Sequence, residues 1–504
     1  MIKAHHTAFD DIVHSLDSNR DKIALIDKEG VEYTYSEFKQ MITGTRAHLE
    51  SLGVKKGSKV LVFITMSAEL YAVLEALFSL GAVTIFLDPW MKGRKMEGII
   101  RDVKPDLLLL NKKASKYSWL LVSTWSLKKW KIKSLPRNND EWKIEEVKSD
   151  DSALTTFTSG STGNPKGANR TYAFIDAQAK ALKAKLIGKN SDQNVDYTNL
   201  PIVALAGFAI GNTVVIPKIN LMKVNKANSK ELIEHIHGLK VSRLVVSPSL
   251  LKEILKGIKS HGIGSINHIV TGGAPISSKL INECMGHSEI LFESMYGSTE
   301  VEPISGAEMR VIFEAQKNPL KGLFVGTPDA LTKVVILTSN EENVDAQYFS
   351  DSQLPDGEIG EIVVTGDHVN KNYYKNAEAF ARYKIIDSEG EIWHRTGDIG
   401  YLENNIIYLV GRENRIMKKG KDHFYPFPIE QFIQREFGVE DIGYLQNKLG
   451  EFVLHIGSDI DLDKQLVKEK IENAGYPIDH IEAQSKPLPR DPRHKSKLLV
   501  EELI

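Results

Sequence analysis

The stretch TFTSGSTGNPKG, Thr156 to Gly167, packs three glycines, five hydroxyl side chains and one lysine into twelve positions. Glycines 160, 163 and 167 admit backbone angles with positive φ and let a ligand approach the main chain closely. Successive exposed N–H groups, with the hydroxyls of Ser159, Ser161 and Thr162, make an anion nest. Lys166 adds a mobile cation, and the whole suits a polyphosphate. The spacing is not that of a Walker A loop, which needs Gly, four residues and then Gly-Lys-Ser/Thr. Here the lysine follows Pro165 and precedes Gly167. Taken alone, the stretch also reads as a Gly/Ser linker.

Elements must hold that loop in place. Apolar ALTTFT before it reads as a strand, and AFIDAQAKALKAKL after it has helical spacing, which puts the turn at a sheet edge. Elsewhere KVLVFI, AVTIFLD and DLLLL alternate with helical patterns, as do RLVVS, HIVTGG and EILFESMYG. Buried strands alternating with helices predict an α/β fold with mostly parallel sheets covered on both faces. Beyond about residue 355 the texture becomes antiparallel. A domain boundary is placed at Asn414, giving a large domain over 1–413 and a small α+β domain over 414–504.

Composition narrows the function classes. The 504 residues, 42% hydrophobic and 26% charged, supply a large core, and a net charge of −2 offers no global field toward nucleic acid or membrane. The single Cys284 fits a reducing cytoplasm and is expected to be inert core. The N-terminal MIKAHHTAFDDIV does not read as a signal peptide. The most apolar stretch, residues 60–88, carries Glu69 and Glu75 and breaks at Gly81, so it is read as strand, helix, strand and not as a membrane span. Residues 111–137 hold eight Lys or Arg, three Trp and no acid. They are read as a solvated surface whose aromatics tuck into the domain; the alternative is a docking patch for an anionic lipid or a nucleotide tail.

Residues 158–167, TSGSTGNPKG, resemble the signature loop of the adenylate-forming superfamily: acyl-CoA synthetases and other AMP-dependent ligases, adenylation domains of peptide synthetases, and luciferases. Four more segments resemble that family's motifs, in its order: GGAP (Gly272–Pro275), YGSTE (Tyr296–Glu300), HRTGD (His394–Asp398) and GRENRI from Gly411. The resemblance runs from about residue 20 to the C-terminus. It implies a large domain of two βαβ-type sheets plus a small β-barrel-like part, followed by a small mobile domain. It implies a reaction joining a carboxylic acid to ATP, giving acyl-AMP and pyrophosphate, with Mg2+.

By the same resemblance, Thr158, Ser159, Gly160, Ser161, Thr162, Gly163 and Lys166 hold the β- and γ-phosphates. Glu300 is the metal ligand and Thr299 contacts the α-phosphate, with Gly297 and Ser298 in the same turn. Gly273, Ala274, Pro275 and Tyr296 form the adenine slot, Asp398 accepts the ribose hydroxyls, and Arg412 reaches ribose or phosphate. Asn414 is the hinge. A C-terminal lysine bridges acid and α-phosphate. The family places it before an aliphatic residue, which selects Lys497 over Lys495.

Three departures bear on the substrate. Gly420 comes nine positions after Gly411, among Lys418, Lys419 and Lys421, where CoA ligases border the pantetheine tunnel. In LPIVALAGFAIG, Val203 and Ala204 replace the usual aromatic and His and, with Gly207, leave an apolar acid pocket without an Asp for an α-amino group. With DPRHKSK, these segments resemble the β-lactone synthetases of bacterial olefin synthesis, in which the β-hydroxyl of the acyl-adenylate attacks its own carbonyl. The expected reaction is adenylation of an aliphatic acid and transfer to CoA or an acyl carrier protein. Lactone closure, or a catalytically silent nucleotide-binding module, are the alternatives.

Overall fold

The computed structural model describes residues 7–91, 93–158, 165–186, 195–221, 223–339, 345–458, 462–490 and 498–503. Runs such as Leu107–Leu110 and Arg243–Val246 are buried at every position, because parallel strands are covered by helices on both faces. One sheet runs Lys128–Lys131, Leu107–Leu110, Lys59–Phe63, Val83–Leu87 and Ser152–Thr158 in parallel, then ends on antiparallel Lys166–Thr171. The parallel part of the second holds Leu291–Ser298, His268–Gly272, Arg243–Val246, Val195–Thr198, Thr213–Val215 and Ile23–Ile26. From Leu291–Ser298 it continues antiparallel through Val301–Glu308, Leu323–Pro328, Ile406–Arg412, Ile392–Glu403, Gly360–Thr365 and Lys333–Leu337. This last half is the small barrel-like part, with its own core of Val301, Ile304, Ile336, Ile362 and Ile407.

The largest core joins residues of both sheets with helices Tyr35–Ser51 and Ala68–Ser79. Every residue of Ala68–Ser79 except Glu69 is buried, as expected of a helix apolar all round. Glu75 is carried into the interior with it. Residues 59–87 are therefore strand, helix, strand, and among the described residues no helix is long and apolar enough to cross a membrane. Beyond residue 415, strands Ile442–Gln446, Phe452–Gly457 and His480–Gln484 form a separate sheet. Helices Pro426–Phe437 and Lys464–Asn473 cover it over a core of its own.

Two local expectations change. Strand Lys166–Thr171 stands between the Gly-rich segment and helix Tyr172–Leu186, and it pairs Lys166 with Thr158 at the sheet edge. Nor do the aromatics of 111–137 all tuck in. Trp130 is half-buried against His48, with ring centroids 4.4 Å apart, but Trp119 and Trp125 are exposed. They sit on two short 3-10 turns, 118–120 and 122–124, that bulge from the sheet edge.

Candidate active site

This strand pair explains the last glycine of the segment. A Cβ on Gly167 would lie 2.7 Å from the Phe157 ring and 3.1 Å from Cβ of Tyr374. Next to it, Lys166 sets its ammonium group 3.4 Å from the centroid of the Tyr383 ring, a cation–π contact. Arg170, on the same strand, donates to the Thr156 hydroxyl at 3.0 Å and to the Thr299 carbonyl at 2.9 Å. It thereby ties the hairpin to the turn carrying Glu300.

That turn joins strands Leu291–Ser298 and Val301–Glu308. Gly297 has no room for a side chain, since a Cβ there would meet the Val301 carbonyl at 2.8 Å. The Glu300 N–H donates to the Ser298 hydroxyl at 3.2 Å. Among the described residues, the carboxylate receives long side-chain hydrogen bonds from Ser298 at 3.3 Å and from the Tyr373 hydroxyl at 3.4 Å. Lone pairs remain for a further partner.

Electrostatics keep this carboxylate charged. Burial raises the Glu300 carboxyl, but charge attraction, from His394 only while its ring is protonated and from Lys384 and Lys166, outweighs burial and holds it below the ordinary glutamate range. The Lys384 ammonium donates to the Asn370 carbonyl and lies 5.3 Å from the Tyr373 ring centroid. Burial pushes it down to about 7 against the pull of Glu300. Burial, aided by Lys384, pushes His394 down to about 3, so its ring is neutral at pH 7.

A second cluster adjoins the first. Tyr296 donates its hydroxyl to Asp398 at 2.6 Å, and Arg412 pairs with the other Asp398 oxygen at 2.8 Å. Asp398 and Arg412 face each other across one antiparallel ladder, so the pairing follows from register. Burial, then Asp398, drives the Tyr296 hydroxyl upward, while Asp398 above all raises Arg412. Beneath, Arg395 grips Glu361 at 2.6 Å, and Glu361 accepts the Gly397 N–H at 3.1 Å. That fixes the turn presenting Asp398.

The fold thus brings Lys166, Tyr296, Ser298, Thr299, Glu300, Asp398 and Arg412 into one charged cluster. Gly273 follows strand His268–Gly272 with φ +83°, which leads Ala274 and Pro275 away from the sheet. Val203 packs with Leu182, Val270 and Met295, next to Tyr296 in the chain, whereas Ala204 belongs to the large core with Tyr71 and Phe208. Gly207 is buried, and a Cβ there would strike Val214 at 2.8 Å, so the three residues expected to wall an acid pocket are all packed in the interior. Asn414 is exposed in the turn Glu413–Arg415. Ser159, Gly160, Ser161, Thr162, Gly163, Lys495 and Lys497 lie outside the described residues, as does the side chain of Thr158. Sequence reasoning missed Arg170, Tyr373, Tyr383 and Lys384. Arg170 stands only three residues beyond the motif; the others carry no local signal.

A family model described as AMP-binding enzyme matches residues 12–374. An olefin beta-lactone synthetase of Stenotrophomonas maltophilia is 25% identical over 424 residues, 78% of this chain and 74% of that one. A 2-succinylbenzoate–CoA ligase of Oceanobacillus iheyensis is 24% identical over 435 residues, 85% and 84% of the two chains. An O-succinylbenzoate coenzyme A synthetase of Bacillus subtilis, solved in complex with ATP and magnesium ion, has the same fold. Its TM-score is 0.78 at 21% identity over 98% of each chain.

Proposed function

Because the chain belongs to the AMP-binding enzyme family, we propose that it activates an aliphatic carboxylic acid with ATP, forming an acyl-adenylate and pyrophosphate. The observation that carries this reading is the convergence of Lys166, the ionised Glu300 and the Tyr296–Asp398–Arg412 cluster at one site. A carboxylate oxygen attacks the α-phosphorus, the bond to the β-phosphate oxygen breaks, and pyrophosphate leaves. Two anions must meet, and Lys166 and Arg412 supply positive charge where they do. Asp398 retains lone pairs for ribose hydroxyls, since a carboxylate accepts at about four positions. Thr299 is assigned to the α-phosphate. Gly273, Ala274, Pro275 and Tyr296 are assigned to the adenine.

Glu300 fits a magnesium ion. It is a buried, ionised oxygen donor with long hydrogen bonds of its own, and such an ion binds through one or two carboxylates while keeping several waters. When bound, the metal would neutralise phosphate charge. The aliphatic class of the acid is proposed from the apolar segment LPIVALAGFAIG, which holds no Asp to pair an α-amino group.

Asn414 is proposed as the hinge between domains 1–413 and 414–504. Arg412 is anchored to Asp398 on one side, and Arg415 to Glu430 and the Tyr444 carbonyl on the other. The change of φ and ψ therefore falls on the residues between them. Lys497 is proposed as the mobile cation of the small domain. Lys497→Ala should lower adenylation by at least about a hundredfold, and Lys495→Ala little.

Transfer of the acyl group to CoA or a carrier thiol is the first reading of the second step, supported by the CoA-ligase relative. The olefin beta-lactone synthetase relative supports another. There the β-hydroxyl oxygen attacks the acyl carbon, the carbon–oxygen bond to phosphate breaks, AMP leaves and the hydroxyl proton passes to solvent. Acid-dependent exchange of labelled pyrophosphate into ATP tests the first step. Silence across a panel of acids would overturn it and leave a nucleotide-binding module. AMP release from a β-hydroxy acid without thiol would select the lactone route.

A further inference from the structure

We propose that the loop from Tyr117 to Trp125, at the edge of the six-stranded sheet, docks this enzyme on an anionic membrane surface. Its polarity is inverted relative to an ordinary surface loop. Tyr117, Trp119, Leu120, Val122 and Trp125 are 62%, 65%, 56%, 60% and 61% exposed. Its polar side chains point inward instead: Ser118 and Thr124 are buried, and Thr124 donates to the carbonyls of Leu121 at 2.7 Å and Ser118 at 3.2 Å. The Ser123 N–H donates to Glu97 at 2.9 Å, which ties the loop to helix Gly93–Val103. The Trp125 indole N–H donates to the Trp119 carbonyl at 3.0 Å, holding Trp125 against the Trp119 backbone. The apolar residues are thus presented by a braced loop whose internal bonds survive only in that orientation.

Charge around the loop selects the partner. Lys112, Lys113 and Lys116 precede it and Lys128 and Lys131 follow it, all exposed, with no acid between residues 111 and 137. The nearest acid, Glu97, is occupied by the Ser123 N–H. Aromatic and aliphatic side chains ringed by lysines suit the boundary between acyl chains and anionic headgroups. The edge strand Lys128–Lys131 lies at the opposite end of its sheet from the hairpin strand Lys166–Thr171, so docking leaves the nucleotide site open.

Cosedimentation of the full chain with vesicles tests this. Binding is expected to phosphatidylglycerol–phosphatidylcholine vesicles and not to phosphatidylcholine alone, and it should weaken as salt rises. Trp119→Ala/Trp125→Ala, and separately Lys112→Glu/Lys113→Glu/Lys116→Glu, should each lower the partition coefficient at least about tenfold. Pyrophosphate exchange should be unchanged in both, which verifies that they fold. Brominated lipid should quench tryptophan fluorescence in the parent and much less in the Trp variant. Absence of binding to anionic vesicles, or binding undiminished in the Trp variant, would overturn the proposal. So would concentration-dependent self-association without vesicles that the Trp variant abolishes, because the patch would then belong to a second copy of the chain.

Discussion

Glu300 and Glu75 are both buried carboxyls, yet their surroundings drive them in opposite directions. Glu300 sits among His394, Lys384 and Lys166 and stays ionised. Glu300→Gln preserves shape and removes charge, so pyrophosphate exchange should fall at least about a hundredfold. A cooperative melt retained in calorimetry would show the loss to be chemical. Glu75 faces a cavity of about 40 Å3 lined by Ile12, Phe78, Ile175 and Leu205, where burial pushes its carboxyl up to about 8 from 4.5. The folded state therefore holds a proton that the unfolded chain releases near 4.5. This contribution to stability is full below that pH and is lost as pH rises through about 8. The melting temperature should fall across this window and flatten in Glu75→Gln. An unaltered slope would refute the assignment.

At the level of elements, the edge hairpin of Ser152–Thr158 and Lys166–Thr171 is the part most sensitive to a single methyl group. Phe157, which a Cβ at Gly167 would strike, is itself buried and meets the Tyr374 ring edge-on, with centroids 5.9 Å apart. It cannot retreat without moving Tyr374. Gly167→Ala should destabilise the protein by about 1–3 kcal/mol and displace Lys166 from Tyr383. Urea titration would report the first effect and a raised KM for ATP the second. A neutral result would mean that the two rings yield freely.

At the scale of the whole molecule, a large unit with several cores carries a small C-terminal unit with a core of its own. The small C-terminal unit touches the large one through Lys252–Glu440 and Ser277–Glu440, each at 3.2 Å, through Arg435 on the Gln316 carbonyl, and through apolar packing of Ile416 and Tyr425 on Tyr401 and Tyr408 and of Phe427 on the barrel-like core. The exposed Lys252–Glu440 ion pair is worth about 0–1 kcal/mol, so Glu440 acts on the joint as one polar restraint beside the apolar contacts. Glu440→Ala removes both contacts that Glu440 makes with the large unit. Trypsin cleavage at the exposed Lys418, Lys419 and Lys421 should then accelerate, as followed by mass spectrometry. Cleavage at the parent rate would show that these two contacts do not restrain the unit.

The glycine spacing of 158–167, the YGSTE and HRTGD segments and the alternation of buried strands with helices were all readable along the chain. Backbone freedom, turn chemistry and hydrophobic period are local properties. Register then follows: once Ile392–Glu403 pairs with Ile406–Arg412, Asp398 must face Arg412. Tertiary structure alone decided the rest. Lys384 reaches the Glu300 site through Asn370, and Tyr373 reaches it directly, from segments far along the chain with no periodic mark of the encounter. Glu75 is interior because helices Thr7–Ser18, Tyr172–Leu186 and Pro201–Ala209 pack over the side of its helix that carries it. Trp119 and Trp125 face outward because Ser118 and Thr124 spend their hydrogen bonds inside the loop. In a segment without helix or strand, no period tells inside from outside, so only the folded contacts could settle it.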